Sequence, residues 1–482
     1  MKHTLSVLAT LLLAPQAALH AAGKEPARPN VVVILADDQG GEYFDPPLEH
    51  NGSFVCGKGF IADDLTDHAL AFVEQHKGRP FFCYLPFNTP HSPFCVPDEY
   101  WDRFKDKPVA LRGKDGDKED LPVTRCVLAM CENIDWNVGR VLRKLDELKL
   151  ADNTIVIYFS DNGPNSWRWN GGMKGRKGST DEGGVRVPFF IRWRGKLDAG
   201  RTVREIAGAI DLLPTLAGLA GIPLVSILPL DGKDLSPLLL GTARDWPDRM
   251  IFTYLDGKAS VRTQQYRLDH LGALFDMSAD PGQAADVATK KPDVAAKLTQ
   301  AVAAWRQAVL PAAKGDHRPF PVGYAQFPMT PLPARDGVPH GGVKRSAGAP
   351  NCSYFVNWTS PDDAMTWDIA VQTGGDYAAE IYYTCPASDA GSTVELGFSG
   401  SRLQGKVAPA WDPPLLDKQD RVPRQGESYM KEFRALKLGV LHLEKGCGPL
   451  TLRAVQVAGK QVCDVRLVTL TLLKPRESAT EK

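Results

Sequence analysis

The segment RPNVVVILADDQGGEYFDP, Arg28 to Pro46, decides how the rest of the chain is read. Val31 to Ala36 is an unbroken apolar run rich in β-branched residues, the pattern of a strand buried on both faces of a parallel sheet. The run ends in two adjacent carboxylates, Asp37 and Asp38. Side by side at the carboxyl end of a strand, they repel each other and their pKa values rise unless a cation sits between them. A hard divalent ion with oxygen ligands, Ca²⁺ or Mg²⁺, relieves that repulsion.

A second apolar run, Thr154 to Phe159, leads into Asp161 and Asn162. It adds a carboxylate and an amide oxygen in the crevice where parallel sheets bind ligands. Each pair alone reads as ordinary strand-to-turn punctuation; both together, each ending an apolar strand, offer four oxygen ligands to one ion. Between the two runs, Thr66 to Lys77 has helical spacing with Thr66 as its cap, and Phe81 to Leu85 reads as a strand. Cys126 to Leu148 is a long helix with Val127, Met130, Ile134, Val138, Val141 and Leu145 on one stripe. The alternation predicts an α/β domain, a mostly parallel sheet flanked by helices.

Two further segments offer cationic or proton-transferring groups. His91 follows a strand in NTPHSP, where prolines hold a rigid loop, although a loop histidine taken alone is more often a surface residue. Lys174 lies in the glycine-rich GGMKGRKG, where backbone and ammonium can approach an oxyanion closely; the same composition also suits a basic hairpin.

The 482 residues, 43% hydrophobic and 24% charged, suffice for two or three domains. Lys+Arg and Asp+Glu number 57 each, which removes any bulk electrostatic case for nucleic acid or an anionic membrane. Residues 1–22 have the order of a secretory signal: Lys2 and His3, the apolar Leu5 to Leu13, then small residues with cleavage near Ala21 or Ala22. That run is too short to span a bilayer, and no other reaches spanning length, so the mature protein is expected to be exported, periplasmic or extracellular. The first five of its 9 cysteines lack Cys-x-x-Cys spacing, which argues against zinc, whereas Cys352, Cys385, Cys447 and Cys463 form an even set that an oxidising compartment would allow to pair.

The α/β domain is expected over residues 28–248. Residues 249–310 suggest a small antiparallel subdomain, Val261 to Leu268 and Gly272 to Met277, closed by a helix from Asp293 to Val309. The Pro- and Gly-rich residues 311–350 read as a linker. Short alternating segments over residues 351–475 predict a β-sandwich, in which Trp358, Trp367 and Trp411 are candidates for stacking on sugar rings.

Taken together, these residues resemble the sulfatase family of the alkaline-phosphatase-like hydrolases. The resemblance rests on PNVVVILADDQ, NTPHSPFCVPDEY, KLDELKLADNT, FSDNGP, MKG, EGGVRVPF, DLLPT, VRTQQYRL and LFDMSADP, in family order over roughly residues 29 to 290. It implies that Asp37, Asp38, Asp161 and Asn162 are Ca²⁺ ligands, that His91 and Lys174 bind sulfate and transfer protons, and that the partner is a sulfated small molecule or glycan. Family members hydrolyse sulfate esters through formylglycine, made from a Cys or Ser in a Cys-x-Pro-Ser-Arg segment downstream of Asp-Asp.

Here Asp-Asp-Gln-Gly runs directly into GEYFDP, which resembles a stretch normally lying well beyond that segment; the internal segment is missing after Gly40. No Cys-x-Pro-Ser-Arg occurs in the chain. Cys95, in CVPD, lacks the Ser and Arg, and Cys56, in VCGKG, lacks the motif. A chain without its nucleophile is expected to be inactive or severely impaired, and the sheet beside Val31 to Ala36 is expected to be exposed at an edge. Two other readings are a phosphoesterase of the same superfamily, which needs its own nucleophile, and a non-catalytic carbohydrate-binding protein built on the C-terminal β region.

Overall fold

A computed structural model describes residues 28–36, 43–109, 118–225, 228–313 and 317–473. The proposed signal segment and the Asp37–Asp38 pair lie outside the described residues.

The first region runs β1 (Asn30–Ala36), β2 (Pro47–His50), β3 (Ser53–Cys56), α1 (Ile61–His76), β4 (Phe82–Phe87), α2 (Asp98–Phe104), α3 (Leu121–Glu147), β5 (Thr154–Ser160), α4 (Glu182–Val185), β6 (Phe189–Arg192), α5 (Leu212–Ala220) and α6 (Ser236–Leu239). Its sheet has the order β4-β1-β5-β6. β1 is hydrogen-bonded in parallel to β4 on one side and β5 on the other, while β6 closes the far edge antiparallel. Both faces of β1 are covered. Val32 and Ile34 pack with Leu85 and Phe87 of β4 against α1 and α3, through Ala69, Val73, Ile134 and Leu145. Val31 and Val33 pack with Ile155 and Ile157 of β5 against Leu219 and the partly buried Leu216 of α5. That is why the run lacks polar alternation.

Helix boundaries differ from the sequence expectation in a consistent direction. α3 begins five residues before Cys126, because Asp120 caps it by accepting the Val123 amide and Pro122 occupies its first turn. α1 begins at Ile61, so Thr66 lies inside the helix with its hydroxyl donating to the Ala62 carbonyl at 2.7 Å. The two helices are tied by Asp63, whose Oδ1 accepts from the buried amides of Asn133 (2.9 Å) and Asn137 (2.7 Å).

A four-stranded antiparallel sheet follows, β7 (Ile251–Leu255), β8 (Lys258–Arg262), β9 (Tyr266–Leu268) and β10 (Leu274–Asp276), in the order β10-β9-β8-β7. The helix α7 (Pro292–Ala313) packs Leu298 onto Val261, Leu268 and Leu274.

The C-terminal β region comprises β11 (Phe320–Val322), β12 (Met329–Pro333), β13 (Val338–His340), β14 (Lys344–Arg345), β15 (Phe355–Val356), β16 (Ala364–Val371), β17 (Gly375–Thr384), β18 (Thr393–Phe398), β19 (Ser401–Lys406), β20 (Arg434–Leu443), β21 (Gly446–Gln456) and β22 (Asp464–Leu472). They form two six-stranded sheets, one built around β16, β21 and β18, the other around β15, β22 and β17. A single apolar core, with Met365, Ile369 and Leu452 from one sheet and Ile381, Val465 and Val468 from the other, fills the space between them. The sandwich is therefore present, but residues 311–350 are not a linker. Within them β11 and β13 pair with β16, and β12 pairs with β22. The tryptophans are also corrected. Trp358 and Trp367 are fully buried, Trp367 donating to the Pro333 carbonyl, and Trp411 is packed against the core with its indole N–H given to Glu432. None of the three is a free stacking platform. Cys385 and Cys463 are free thiols that flank the Thr384–Asp464 pair of β17 and β22.

At the other edge of the α/β sheet, β4 pairs with β1 alone among the named strands, and Phe82 and Tyr84 are 59% and 52% exposed. They share a face with Val31 and Val33. An apolar edge strand of this kind templates further pairing. Sedimentation velocity is expected to show concentration-dependent association of the purified chain that the double variant Phe82→Lys/Tyr84→Lys abolishes; equal association of both proteins would show that this edge is not the contact.

Candidate active site

The site is assembled where β1, β4 and β5 end. Ala36 lies opposite Ser160 and Phe87 in register, so the segments that follow leave the same edge of the sheet. The Asp161 amide still donates to the Ala36 carbonyl at 3.3 Å. Asp161 then turns the chain, its Oδ1 accepting the Asn162 amide at 2.7 Å. The Asn162 Nδ2 donates to the Gly163 carbonyl at 3.0 Å, which fixes the amide plane and leaves Oδ1 as an acceptor facing another way. Gly163 is required there: its amide donates to Gly184, and a Cβ would overlap the Gly183 carbonyl oxygen.

From β4 the chain enters the loop carrying His91. Tyr43, buried, donates from its hydroxyl to the Asn88 carbonyl at 2.7 Å and lies 3.1 Å from the His91 carbonyl. The His91 Nδ1 is hydrogen-bonded to the Ser92 carbonyl and lies 3.1 Å from the Ser92 hydroxyl. A carbonyl only accepts, so this contact assigns the proton to Nδ1 and leaves Nε2 with its lone pair.

His91, Asp161, Asn162 and Ser160 line one cavity of about 320 Å³, together with Arg168, Asn170 and Arg186. The structure thus brings together three of the four described residues singled out from the sequence. Lys174 is not among the lining residues. Its Nζ is 2.9 Å from Asp269 and 3.4 Å from Asp181, over the Phe275 ring. Burial works against its charge, but the hydrogen bond it donates to Asp269 and the charge of Asp181 outweigh it and raise its pKa. Lys177 of the same loop is tied more closely to the cavity wall, its amide donating to the carbonyl of Pro164 at 2.9 Å.

Arg168 escaped the sequence reading. Burial pulls its pKa below the ordinary value, opposed by Cys131 and Glu119, yet a guanidinium stays charged. Its Nη1 donates to Ser166. The signal available was the WRW triplet seven residues after Asp161, Trp167 to Trp169. Beyond the EGGV turn, α4, the chain supplies Arg186, Val187 and Pro188 to another wall of the cavity. Glu182 is buried and forms a two-point contact with Arg267, Nη2 at 2.8 Å and Nε at 3.1 Å, which staples the turn to β9.

Among the described residues no group of three or more His, Cys, Asp and Glu side chains is gathered as a metal cluster. Asp161 and Asn162 supply two hard oxygen donors at the crevice, and Asp37 and Asp38 follow Ala36 directly in the chain. The donor chemistry that is described therefore fits Ca²⁺ or Mg²⁺.

The sulfatase family model matches residues 41–222, the stretch that carries β4, β5, the His91 loop and the EGGV turn. This region belongs to the sulfatase family. Its first residue, Gly41, stands immediately beyond the point where the sequence reading places the missing segment. The sulfatase region is 36% identical to mouse steryl-sulfatase over 206 residues, 41% of this chain and 30% of the relative. It is 36% identical to human arylsulfatase A over 228 residues, 44% of this chain and 41% of the relative. The match thus spans well under half the length of either relative. The crystal structure of Ps i-CgsB superposes with a TM-score of 0.50 at 23% identity, over 58% of this chain and 71% of that one, which supports the fold.

Asp269 gives a pH-dependent test of the loop geometry. Burial raises its pKa, but hydrogen bonds from Lys174 and from the Ala273 and Leu271 amides prevail and hold it below the usual carboxylate value. A depressed carboxylate contributes stability above its unfolded pKa that is lost as pH falls through the folded value. Asp269→Asn is expected to cost about 1–3 kcal/mol in urea unfolding at pH 7, with the difference shrinking below pH ~4. An undiminished difference at pH 3 would assign the loss to packing instead.

Proposed function

We propose that this chain is a sulfatase-family protein whose crevice at the ends of β1, β4 and β5 holds a sulfate monoester, aryl or carbohydrate, and that in its present sequence it lacks the group that would attack the sulfur. The reading is carried by one observation: an imidazole, a half-buried guanidinium and the Asp161–Asn162 strand end line a single cavity. The two relatives named above act on steryl and aryl sulfates by their names, so the substrate is stated here only as a sulfate monoester.

The chain's own residues divide the work. Arg168 supplies a fixed positive charge with planar donors suited to a tetrahedral oxyanion. His91, with Nδ1 committed to Ser92, presents Nε2 to accept or return a proton at the ester oxygen. Ca²⁺, with Mg²⁺ as the alternative, would be held by Asp37, Asp38, Asp161 and Asn162. When bound it supplies positive charge beside the sulfate oxygens.

The cysteines do not replace the missing nucleophile. Burial, then the charge and hydrogen bond of Asp420, push the Cys95 thiol far up, which keeps it a thiol rather than a reactive thiolate; Cys131, at the cavity wall, lies in VLAMCENID and not in a Cys-x-Pro-Ser-Arg segment. Losing covalent catalysis removes many powers of ten in rate. The phosphoesterase reading needs its own nucleophile too: the Ser92 oxygen faces the protonated His91 Nδ1, which cannot take its proton, and the Ser160 hydroxyl has only the 3.4 Å contact to Asp161, a weak base. Export to the periplasm or beyond rests on residues 1–22; among the described residues no helix is long and apolar enough to cross a membrane.

Calorimetric titration with inorganic sulfate in the presence of Ca²⁺ is expected to show saturable binding, weakened about tenfold or more, ~1.4 kcal/mol, by Arg168→Ala or His91→Ala. The same preparation is expected to release no 4-nitrophenol from 4-nitrophenyl sulfate above background. Turnover at ordinary enzymatic rates would overturn the loss of function, and sulfate affinity indifferent to both variants would overturn the site.

A further inference from the structure

The C-terminal β region does not stand apart from the crevice. Its segment between β19 and β20 reaches across to the loop after β4 and pairs with it: the Arg421 amide donates to the Phe94 carbonyl at 2.8 Å, and Cys95 and Asp420 form a β-bridge. The side chains repeat the contact. The Cys95 thiol donates to Asp420 Oδ1 at 3.0 Å, and Arg421 donates to the Val96 carbonyl at 2.8 Å and to Asp98. Val422 enters a small apolar core with Val96, Tyr100 and Val127. Phe94 and Val127 are themselves walls of the cavity.

This segment carries two buried carboxylates, and a buried carboxylate needs a partner. Asp420 has Arg424, Nε at 2.7 Å with both side chains under 5% exposed. Glu427 lies at 6% side-chain exposure with Oε1 4.0 Å from His91 Nδ1, the imidazole itself being 9% exposed. That separation is too long for a hydrogen bond and short enough for a Coulombic pair of low dielectric. Glu427 is also held from its own side. The Ser428 and Ser346 hydroxyls are 2.6 Å apart, Ala349 donates to the Gly426 carbonyl at 2.8 Å, and Arg424 donates to the Ser428 carbonyl at 2.6 Å. The chain on both sides of Glu427 is therefore anchored, and its side chain extends from that fixed backbone to within 4.0 Å of His91 Nδ1.

We propose that Glu427, delivered by the C-terminal β region, is a positioning residue for His91, fixing the imidazole with its proton on Nδ1 and Nε2 toward the cavity. A negative charge behind Nδ1 favours the tautomer that the Ser92 carbonyl also selects, and the two together hold the ring against rotation. The C-terminal region is on this account part of the site and not a detachable carbohydrate-binding module. The inference rests on the reading of the crevice only for its functional meaning; the geometry of the imidazole can be tested without it.

The test is two-bond nitrogen–proton NMR of the full chain labelled with ¹⁵N-histidine, with the His91 signals identified by their loss in His91→Gln. The native protein is expected to show His91 protonated at Nδ1. Glu427→Gln is expected to shift the ring nitrogens toward a mixture of tautomers and to weaken inorganic sulfate binding about three- to tenfold, with Glu427→Asp, which keeps the charge, recovering most of both. Thermal melts confirm that each variant folds, and Ser346→Ala, which loosens the segment without touching Glu427, is expected to move the nitrogen shifts in the same direction. His91 nitrogen shifts unchanged in Glu427→Gln would overturn the inference. Sulfate affinity unchanged in His91→Gln, with the tautomer shift still present in Glu427→Gln, would instead refute the sulfate reading and leave the positioning role standing.

Discussion

Everything at the crevice depends on the parallel pairing of β1 with β4 and β5. Because Ala36, Phe87 and Ser160 lie in register, three chain segments from distant parts of the sequence emerge at one edge within reach of each other. Backbone hydrogen bonds set that register, and burial of both faces of β1 prevents it from slipping, since a one-residue shift would exchange the side chains of its two faces. A change that weakened this pairing would separate Asp161 and Asn162 from His91 before it altered any of them chemically.

Much of this was legible in the sequence. Unbroken apolar runs announce doubly covered strands, and the carboxylates at their ends announce the crevice. The misreadings have local causes. Asp120 and Pro122 are an ordinary helix start that the apolar stripe of α3 outweighed. Residues 311–350 look like a linker because of their prolines, but Pro331, Pro333 and Pro339 sit in short strands of the sandwich, each paired here on one side, where a missing N–H costs little. Trp358 and Trp367 could not be told from ligand-stacking tryptophans by composition, since what decides is the second sheet folding over them.

The site residues divide along the same line. Asp161 and Asn162, which follow β5 directly, and His91, in the loop after β4, line the cavity and could be placed beside it from the sequence because strand ends have a fixed place in an α/β sheet. Arg168 and Glu427 could not, because their positions are set by loop packing across the cavity and across more than three hundred residues of chain. Lys174 shows the converse: a glycine-rich basic loop suggested an oxyanion contact, whereas buried Asp269 and the nearby Asp181 engage its charge.

The β sandwich and the α/β sheet are thus coupled through the loop that carries His91. Through this coupling the C-terminal region supports the wall of the cavity, with Arg421 and Val422 packed on the loop that carries His91.

The most direct test of the account is a crystal structure of the full chain grown with Ca²⁺ and sodium selenate, located by selenium anomalous scattering. The account predicts selenate in the cavity between His91 and Arg168, with the cation held by Asp161 and Asn162 together with Asp37 and Asp38. Selenate bound elsewhere, with this cavity holding only water, would contradict it.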